Sequence, residues 1–219
     1  MRGAFRNSSR RRRSALKREG LDKDTPANYR PISNLNMISK ILERLILVRF
    51  QQHLTSSPSF NSAQSAYRRH HSTEMALLRT MDEVYRAVDR GEATLIVALD
   101  ISAAFDTIDH TILLKRLNNS FGVGENVLSL ISSYLAMRSQ TVRVGSASSA
   151  PSDCSCGVPQ GSVLGPILFT IYVSPIASVA HGHHVNEQQY ADDTQLYIAF
   201  TKQTAVSSIH NLQVCLVAL

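Results

Sequence analysis

The chain has 219 residues, enough for one core or a lobed single unit. Its formal net charge is +6 and its isoelectric point is near 9.5, which fits a partner with a phosphate backbone. No apolar stretch reaches the roughly 20 residues that cross a bilayer, and residues 1–5 carry too little apolar length for a secretory signal. Three cysteines, Cys154, Cys156 and Cys215, are odd in number and lack the spacing and extra ligands of a zinc site, so they read as reduced and incidental.

Much of the positive charge is local, in Arg10, Arg11, Arg12 and Arg13 with Lys17 and Arg18. Such a run can contact nucleic acid or act as a nuclear localisation signal. Its default reading is a disordered, solvated arm over residues 1–26. Ile38, Ile41, Leu42, Leu45 and Ile46 recur at three- and four-residue spacing and predict an amphipathic helix. A Ser/Pro linker follows at residues 55–59. Met75, Leu78, Met81, Tyr85 and Val88 predict a second helix, ended by Gly91. His70 and His71, like His181, His183 and His184 further on, have no accompanying carboxylate or cysteine pattern and read as loop residues.

Residues 94–99 (TLIVAL) are a short apolar run rich in β-branched side chains, which suits a strand buried on both faces. Asp100 follows where that strand leaves the core, and a charge there is costly unless it is paired or binds a metal. The competing role is a helix N-cap. Asp106 and Asp109 are better placed for that, ahead of the helical pattern at residues 111–117. Val127, Leu128, Ile131 and Leu135 predict a third long helix, and residues 141–144 alternate like a strand.

Residues 157–162 (GVPQGS) form a loop in which Gly157 and Gly161 permit conformations closed to other residues and Pro159 stiffens the backbone. Ser162 can cap the helix that follows, with Val163, Ile167 and Ile171 on one face and Pro166 tolerated near its start. A plain loop before a helix explains this stretch. So does a support for a flat base pair, with Gln160 bonding to template or nucleotide. Residues 190–193 (YADD) lie between Val185 and Tyr190 on one side and Leu196, Tyr197, Ile198 and Phe200 on the other. This predicts strand, tight turn, strand, with the acids at the tip. Adjacent carboxylates repel and become useful when a divalent cation neutralises them; the tetrapeptide by itself favours a solvated Asp-rich turn. If the strand before Asp100 pairs with this hairpin, three carboxylates converge at one sheet edge. Such a cluster can hold two Mg²⁺ ions about 3.5–4 Å apart for phosphoryl transfer.

Residues 99–106 (LDISAAFD), 157–164 (GVPQGSVL) and 190–193, in this order, resemble motifs A, B and C of reverse transcriptases. The narrower resemblance is to non-LTR (LINE-type) retrotransposon polymerases near the CR1, L2 and jockey groups. Residues 28–33 (NYRPIS) resemble the family's first conserved block. Residues 64–69 (QSAYRR) with 72–74 (STE) resemble the next, with Ala-Tyr-Arg where many members have Gly-Phe-Arg. The likeness runs from about Leu16 to the C-terminus.

Helices with few strands fit an α+β fold, and the resemblance implies the fingers and palm of a right-hand polymerase, a small antiparallel palm sheet packed on helices. The fingers would span about 27–91 and the palm about 92–219, truncated before the thumb, so a fragment of a longer element with an exposed sheet edge is expected. The implied activity is RNA-directed DNA synthesis by two Mg²⁺ ions, with Mn²⁺ as the alternative metal. The implied partners are an RNA template, a DNA primer and deoxynucleoside triphosphates, with no membrane and no specific protein partner. The implied place is intracellular, in the nucleus or a cytoplasmic ribonucleoprotein.

The resemblance also implies roles for residues. Asp100 and Asp192 are the main metal ligands, Asp193 acts through water or on the primer end, and the main-chain carbonyl of Ile101 joins the metal shell. Phe105 is the bulky side chain under the sugar that would clash with a 2′-hydroxyl; its plainer role is a core aromatic. Arg30 meets the triphosphate, which a planar guanidinium suits, or is a surface arginine. Gln160 and Gly161 line the nucleotide, and Tyr190 packs near the primer terminus. Arg68 and Arg69 touch template or phosphates, or form a solvated basic pair. Three other readings compete: a catalytically inactive truncated remnant that only binds nucleic acid; an RNA-dependent RNA polymerase, against which Phe105 and the Gln160 loop speak; and an unrelated Mg²⁺ phosphatase or nuclease, which explains neither that loop nor Arg30.

Overall fold

A computed structural model of the chain describes residues 10–16, 20, 22, 29–136, 138–144 and 147–219, with the side chains of residues 10–16, 29–32, 34, 142–144 and 147 outside that description. In chain order the elements begin with β1 (Arg10–Leu16), β2 (Tyr29–Asn34), α1 (Met37–Thr55), α2 (Thr73–Asp89), β3 (Ala93–Leu99), α3 (His110–Asn119) and α4 (Glu125–Leu135). They continue with β4 (Ser139–Val144), β5 (Ala147–Ser148), β6 (Ser152–Asp153), α5 (Gly165–Val173), α6 (Pro175–Gly182), β7 (Asn186–Tyr190), β8 (Asp193–Phe200) and α7 (Ala205–Ala218). Packing divides the chain into two units, Met1–Ser57 with Phe105–Ile171, and Pro58–Ala104 with Tyr172–Leu219. The division expected from the sequence, at residues 27–91 and 92–219, is linear, whereas each packed unit combines two stretches of chain.

In the first unit, β1 lies between β2 and β4, antiparallel to the one and parallel to the other. The arginine run from Arg10 is therefore in a strand, which corrects the expectation of a solvated arm for residues 10–16. Residues 1–9, 17–19, 21 and 23–28 of that expected arm lie outside the described residues. Extended backbone needs partners for its N–H and C=O groups, and β2 and β4 supply them. Asn36 caps α1 by accepting the Ser39 N–H at 2.7 Å. The helix stands where its three- and four-residue spacing predicts it, but the predictive stripe is on the open side: Ile38 is 77% exposed, and Glu43, Phe50 and Leu54 are buried instead. Leu113 and Leu117 of α3, Ile131, Tyr134 and Leu135 of α4, Leu164 just before α5, and Leu168 and Ile171 within it supply the buried interior.

In the second unit, β3, β8 and β7 form an antiparallel sheet in that order. One face of the sheet carries Leu95, Val97, Leu99, Leu196 and Ile198, packed with Ala180 of α6 and Leu212 and Cys215 of α7. Strand β3 is at the sheet edge rather than buried on both faces: Ile96, on its other face, is 43% exposed. A run of β-branched residues signals a strand but not its place in the sheet. In α2 the small residues Ala76, Thr80 and Ala87 are buried, while Leu78, Tyr85 and Val88, which marked the helix in the sequence, are exposed. Gly91 follows at φ 72°, the left-handed geometry of a helix end. Among the described residues no helix is long and apolar enough to cross a membrane.

Candidate active site

The site in the second unit is built on the β7–β8 hairpin. Tyr190 pairs with Asp193, so Ala191 and Asp192 are its two turn residues. Ala191 stands at φ 58°, in the left-handed region that an L residue enters at a cost of about 1–2 kcal/mol. Tyr67 (φ 60°) and Ala103 (φ 53°) share that conformation and lie in two other segments of the candidate site. Backbone strain of this kind persists where the surroundings enforce it, and at Ala191 the enforcing group is visible. The buried Gln64 carboxamide accepts the Ala191 N–H at 3.0 Å and donates to the Ala191 carbonyl at 3.3 Å. The same segment braces β7. Ser65 N–H donates to the Gln189 carbonyl at 2.9 Å, Gln189 N–H to the Ala63 carbonyl at 3.2 Å, and Gln188 Nε2 to the Ala63 carbonyl at 2.7 Å. Asn61 Nδ2 donates to Glu187 Oε2 at 3.2 Å and Gln189 Oε1 at 2.6 Å.

Strand β3 delivers Asp100. Its last residue, Leu99, pairs with Thr194, so one further step along the register sets Asp100 beside Asp193, which itself pairs with Tyr190. The sheet thus gathers the expected residues Asp100, Asp193 and Tyr190 in one row, with Asp192 in the adjoining turn. Asp100 and Asp193 are exposed, and Asp192, Tyr190 and Ile101 are half-buried. The backbone positions converge, yet among the described residues no three His, Cys, Asp or Glu side chains are grouped closely enough to hold a metal ion as they stand. Burial raises the Tyr67 hydroxyl pKa, and the Asp192 carboxylate, then Tyr190, push it further the same way. Tyr67 therefore belongs to the electrostatic surroundings of Asp192. The Arg68 guanidinium is engaged within the unit, donating to the carbonyls of Ser62 at 3.0 Å and Gln64 at 3.1 Å and lying 5.4 Å from the Phe60 ring centre. Burial, then the neighbouring Arg79, lowers its pKa. Arg69 is exposed.

The other expected site residues belong to the first unit. Gly157, at φ 77°, runs so close to residues 105–106 that an added Cβ would stand 2.8 Å from Asp106 Cα. Its N–H donates to the Ile108 carbonyl at 2.7 Å, and its own carbonyl accepts from Arg138 Nη1 at 2.6 Å, with His110 Nε2 2.8 Å away. Gln160 Nε2 donates to Asp106 Oδ2 at 3.0 Å, which fixes the amide expected to meet the base pair. Asp109 caps α3 by accepting the Ile112 N–H at 2.8 Å; Asp106, the other cap candidate, holds Gln160 instead. Gly161 follows at φ 90°. Phe105 stacks on Phe169, ring centres 5.0 Å apart. Ser162 Oγ accepts the Gly165 N–H at 3.0 Å as expected of a cap, and the buried Glu43 of α1 accepts the N–H groups of Val163 and Leu164 at 2.7 and 3.1 Å. Arg30 lies in β2 opposite Ala15, and its side chain is outside the described residues.

Sequence reasoning assigned no role to Gln64, Glu43, Asn61 or Phe169. Gln64 stood inside a recognised block, so its position was on view but its partner, 127 residues away, was not. Glu43 reads as one charge in a helix, and nothing in its neighbourhood announces that it is buried.

Residues 17–219 match the family described as reverse transcriptase (RNA-dependent DNA polymerase). The chain is 32% identical over 186 residues to a Drosophila melanogaster protein named "Probable RNA-directed DNA polymerase from transposon BS", covering 83% of this chain and 20% of that protein. It is 33% identical over 172 residues to the RNA-directed DNA polymerase from mobile element jockey of the same species, covering 76% of this chain and 19% of the relative. The chain thus spans about a fifth of the length of the curated relatives it matches. The fold is similar to that of a solved telomerase from Candida albicans, with a TM-score of 0.61 at 14% identity, over 95% of this chain and 39% of that one. The ordered motifs, the hairpin that carries the acids and a family match over nearly the whole sequence agree, and the chain belongs to the reverse transcriptase family.

Proposed function

We propose that this chain carries the active centre of an RNA-directed DNA polymerase of a non-LTR retrotransposon, extending a primer 3′-OH along an RNA template with deoxynucleoside triphosphates. The observation that supports it most is the β3–β8 register, which sets Asp100 beside the hairpin bearing Asp192 and Asp193. Carboxylate oxygens are hard ligands suited to Mg²⁺, and the exposure of Asp100 and Asp193 leaves them within reach of an ion. Asp100, Asp192, Asp193 and the main-chain carbonyl of Ile101 would hold the metal. When bound, such ions lower the pKa of an attacking hydroxyl and offset the charge of a leaving pyrophosphate. The chain's own groups then position the substrates. Gln160, held by Asp106, offers its amide to the base pair. Phe105, braced on Phe169, would clash with a 2′-hydroxyl. Arg30 meets the triphosphate and Tyr190 the primer end. A polymerase of this kind would work inside the cell, in the nucleus or a cytoplasmic ribonucleoprotein, where its RNA is found.

The test is primer extension on an RNA template with Mg²⁺, using this chain and a longer form of the same protein. Incorporation of deoxynucleotides in preference to ribonucleotides, abolished by Asp192→Ala, is the expected result. Synthesis indifferent to Asp192→Ala, or RNA binding without any incorporation by the longer form, overturns the proposal.

A further inference from the structure

We propose that Gln64 is a positioning residue for Asp192: its carboxamide locks the left-handed turn at Ala191 and so sets the direction in which the next carboxylate leaves the backbone. The inference deepens the function proposed above and rests on it. One side chain takes both main-chain groups of one residue, the Ala191 N–H at 3.0 Å and its carbonyl at 3.3 Å. The Gln64 Oε1 also accepts the Ala66 N–H at 3.0 Å, so the carboxamide is itself fixed, and Gln64 is 1% exposed. A carboxamide reproduces the donor and acceptor of a peptide group; here it stands in for a neighbouring strand at the point where the hairpin turns.

Ala191 needs such a partner. Two-residue hairpin turns with positive φ favour Gly, Asn or Asp, and alanine at φ 58° has no side chain of its own to stabilise that geometry. The backbone of the same segment continues the grip, through the parallel bridge between Gln64 and Gln189 and the Ser65 N–H bond to the Gln189 carbonyl at 2.9 Å. Backbone bonds of that kind hold β7 whatever side chain stands at position 64. The two bonds to Ala191 depend on the glutamine alone.

The experiment follows amide hydrogen exchange by NMR in the 219-residue protein, together with Mn²⁺ binding by electron paramagnetic resonance. In Gln64→Ala, exchange of the Ala191 amide should accelerate at least tenfold while Leu196 and Ile198 in β8 stay protected, and Mn²⁺ affinity should fall several-fold. Adding Ala191→Gly, which enters the left-handed region freely, should restore part of that affinity; a residue that only supports the fold would gain nothing from it. Should Gln64→Ala fail to fold, Gln64→Met carries the same comparison, since it keeps the side-chain length and loses both bonds to Ala191. Unchanged exchange at Ala191, or equal acceleration throughout β7 and β8, overturns the inference. Loss of Mn²⁺ binding that glycine at 191 does not relieve also counts against it. A wild-type chain that binds no Mn²⁺ would instead defeat the metal role in the proposed function, and the exchange result would still decide whether Gln64 holds the turn.

Discussion

At the scale of single residues, the hairpin strand β7 is unusual in being polar. Asn186, Glu187, Gln188 and Gln189 follow one another, and the strand was legible only from Val185 before it and Tyr190 at its end. The reason lies in partners far along the chain. Asn61, Ala63 and Ser65 take up the polar side chains that an apolar core would otherwise reject. Glu187 is the least satisfied of them. It is 3% exposed, its Oε2 accepts from Asn61, and its Oε1 has no hydrogen-bond partner. Burial pushes its carboxyl pKa up from the ordinary 4.5, against the smaller opposing pull of Asn61, His181 and Arg79. Between the unfolded and folded values the native chain therefore holds a proton that the unfolded chain has lost. The contribution to stability is fullest below the ordinary carboxyl range and is lost as pH rises through the folded value. Glu187→Gln should flatten that decline and stabilise the protein at neutral pH, because the amide has no charge to desolvate in that buried position. Thermal melts of both proteins between acidic and neutral pH measure this, and an unchanged pH dependence would show that the charge is not the cost.

At the scale of elements, the spacing rules found α1, α2, α3, α4 and α5 and the β7–β8 hairpin, but they did not show which face of a helix is buried. In α1 and α2 the apolar stripe that reveals the helix is the exposed one, because periodicity reports amphipathicity and not which neighbour covers the stripe. The buried face of α1 instead carries Glu43, whose carboxylate receives two N–H groups at the entry to α5. Those N–H groups are among the orphans that every helix start must satisfy, and here a carboxylate from another helix does so together with Ser162. The loop at residues 157–164 thereby gains a fixed end, while Gly157 pins its beginning against residues 105–108. Glu43→Ala should cost roughly 2–4 kcal/mol by leaving both donors without an acceptor. Glu43→Gln, which keeps one amide oxygen, should cost less than half of that. Urea unfolding of the three proteins at a common slope decides it. Equal losses in both variants would mean that the carboxylate charge, which both remove, sets the penalty.

For the whole molecule, the order of three short motifs carried the family, and pairing between distant strands carried the site; neither depended on which helix faces are buried. What the sequence could not show was the scaffold behind the motifs. Gln64, Glu43 and Asp106 act on partners between 54 and 127 residues away, and no local pattern encodes such pairs. Net charge is the one global property readable without any fold, and it leads to a quantitative expectation. A chain of charge +6 that binds single-stranded RNA releases counterions as it does so. The logarithm of its binding constant should fall linearly with the logarithm of salt concentration, by about 0.7 for each phosphate neutralised. Arg10, Arg11, Arg12 and Arg13 are the densest source of that charge, and β1 sets their backbone within a sheet rather than on a free arm. Changing these four arginines to glutamine keeps a polar side chain and removes the charge. The salt dependence should then lessen by up to about 3 in slope, with the largest loss of affinity at the lowest salt. Fluorescence anisotropy of a labelled RNA across a salt series gives both quantities. A slope that stays the same would place the RNA on other cations of the chain and separate the basic strand from template binding.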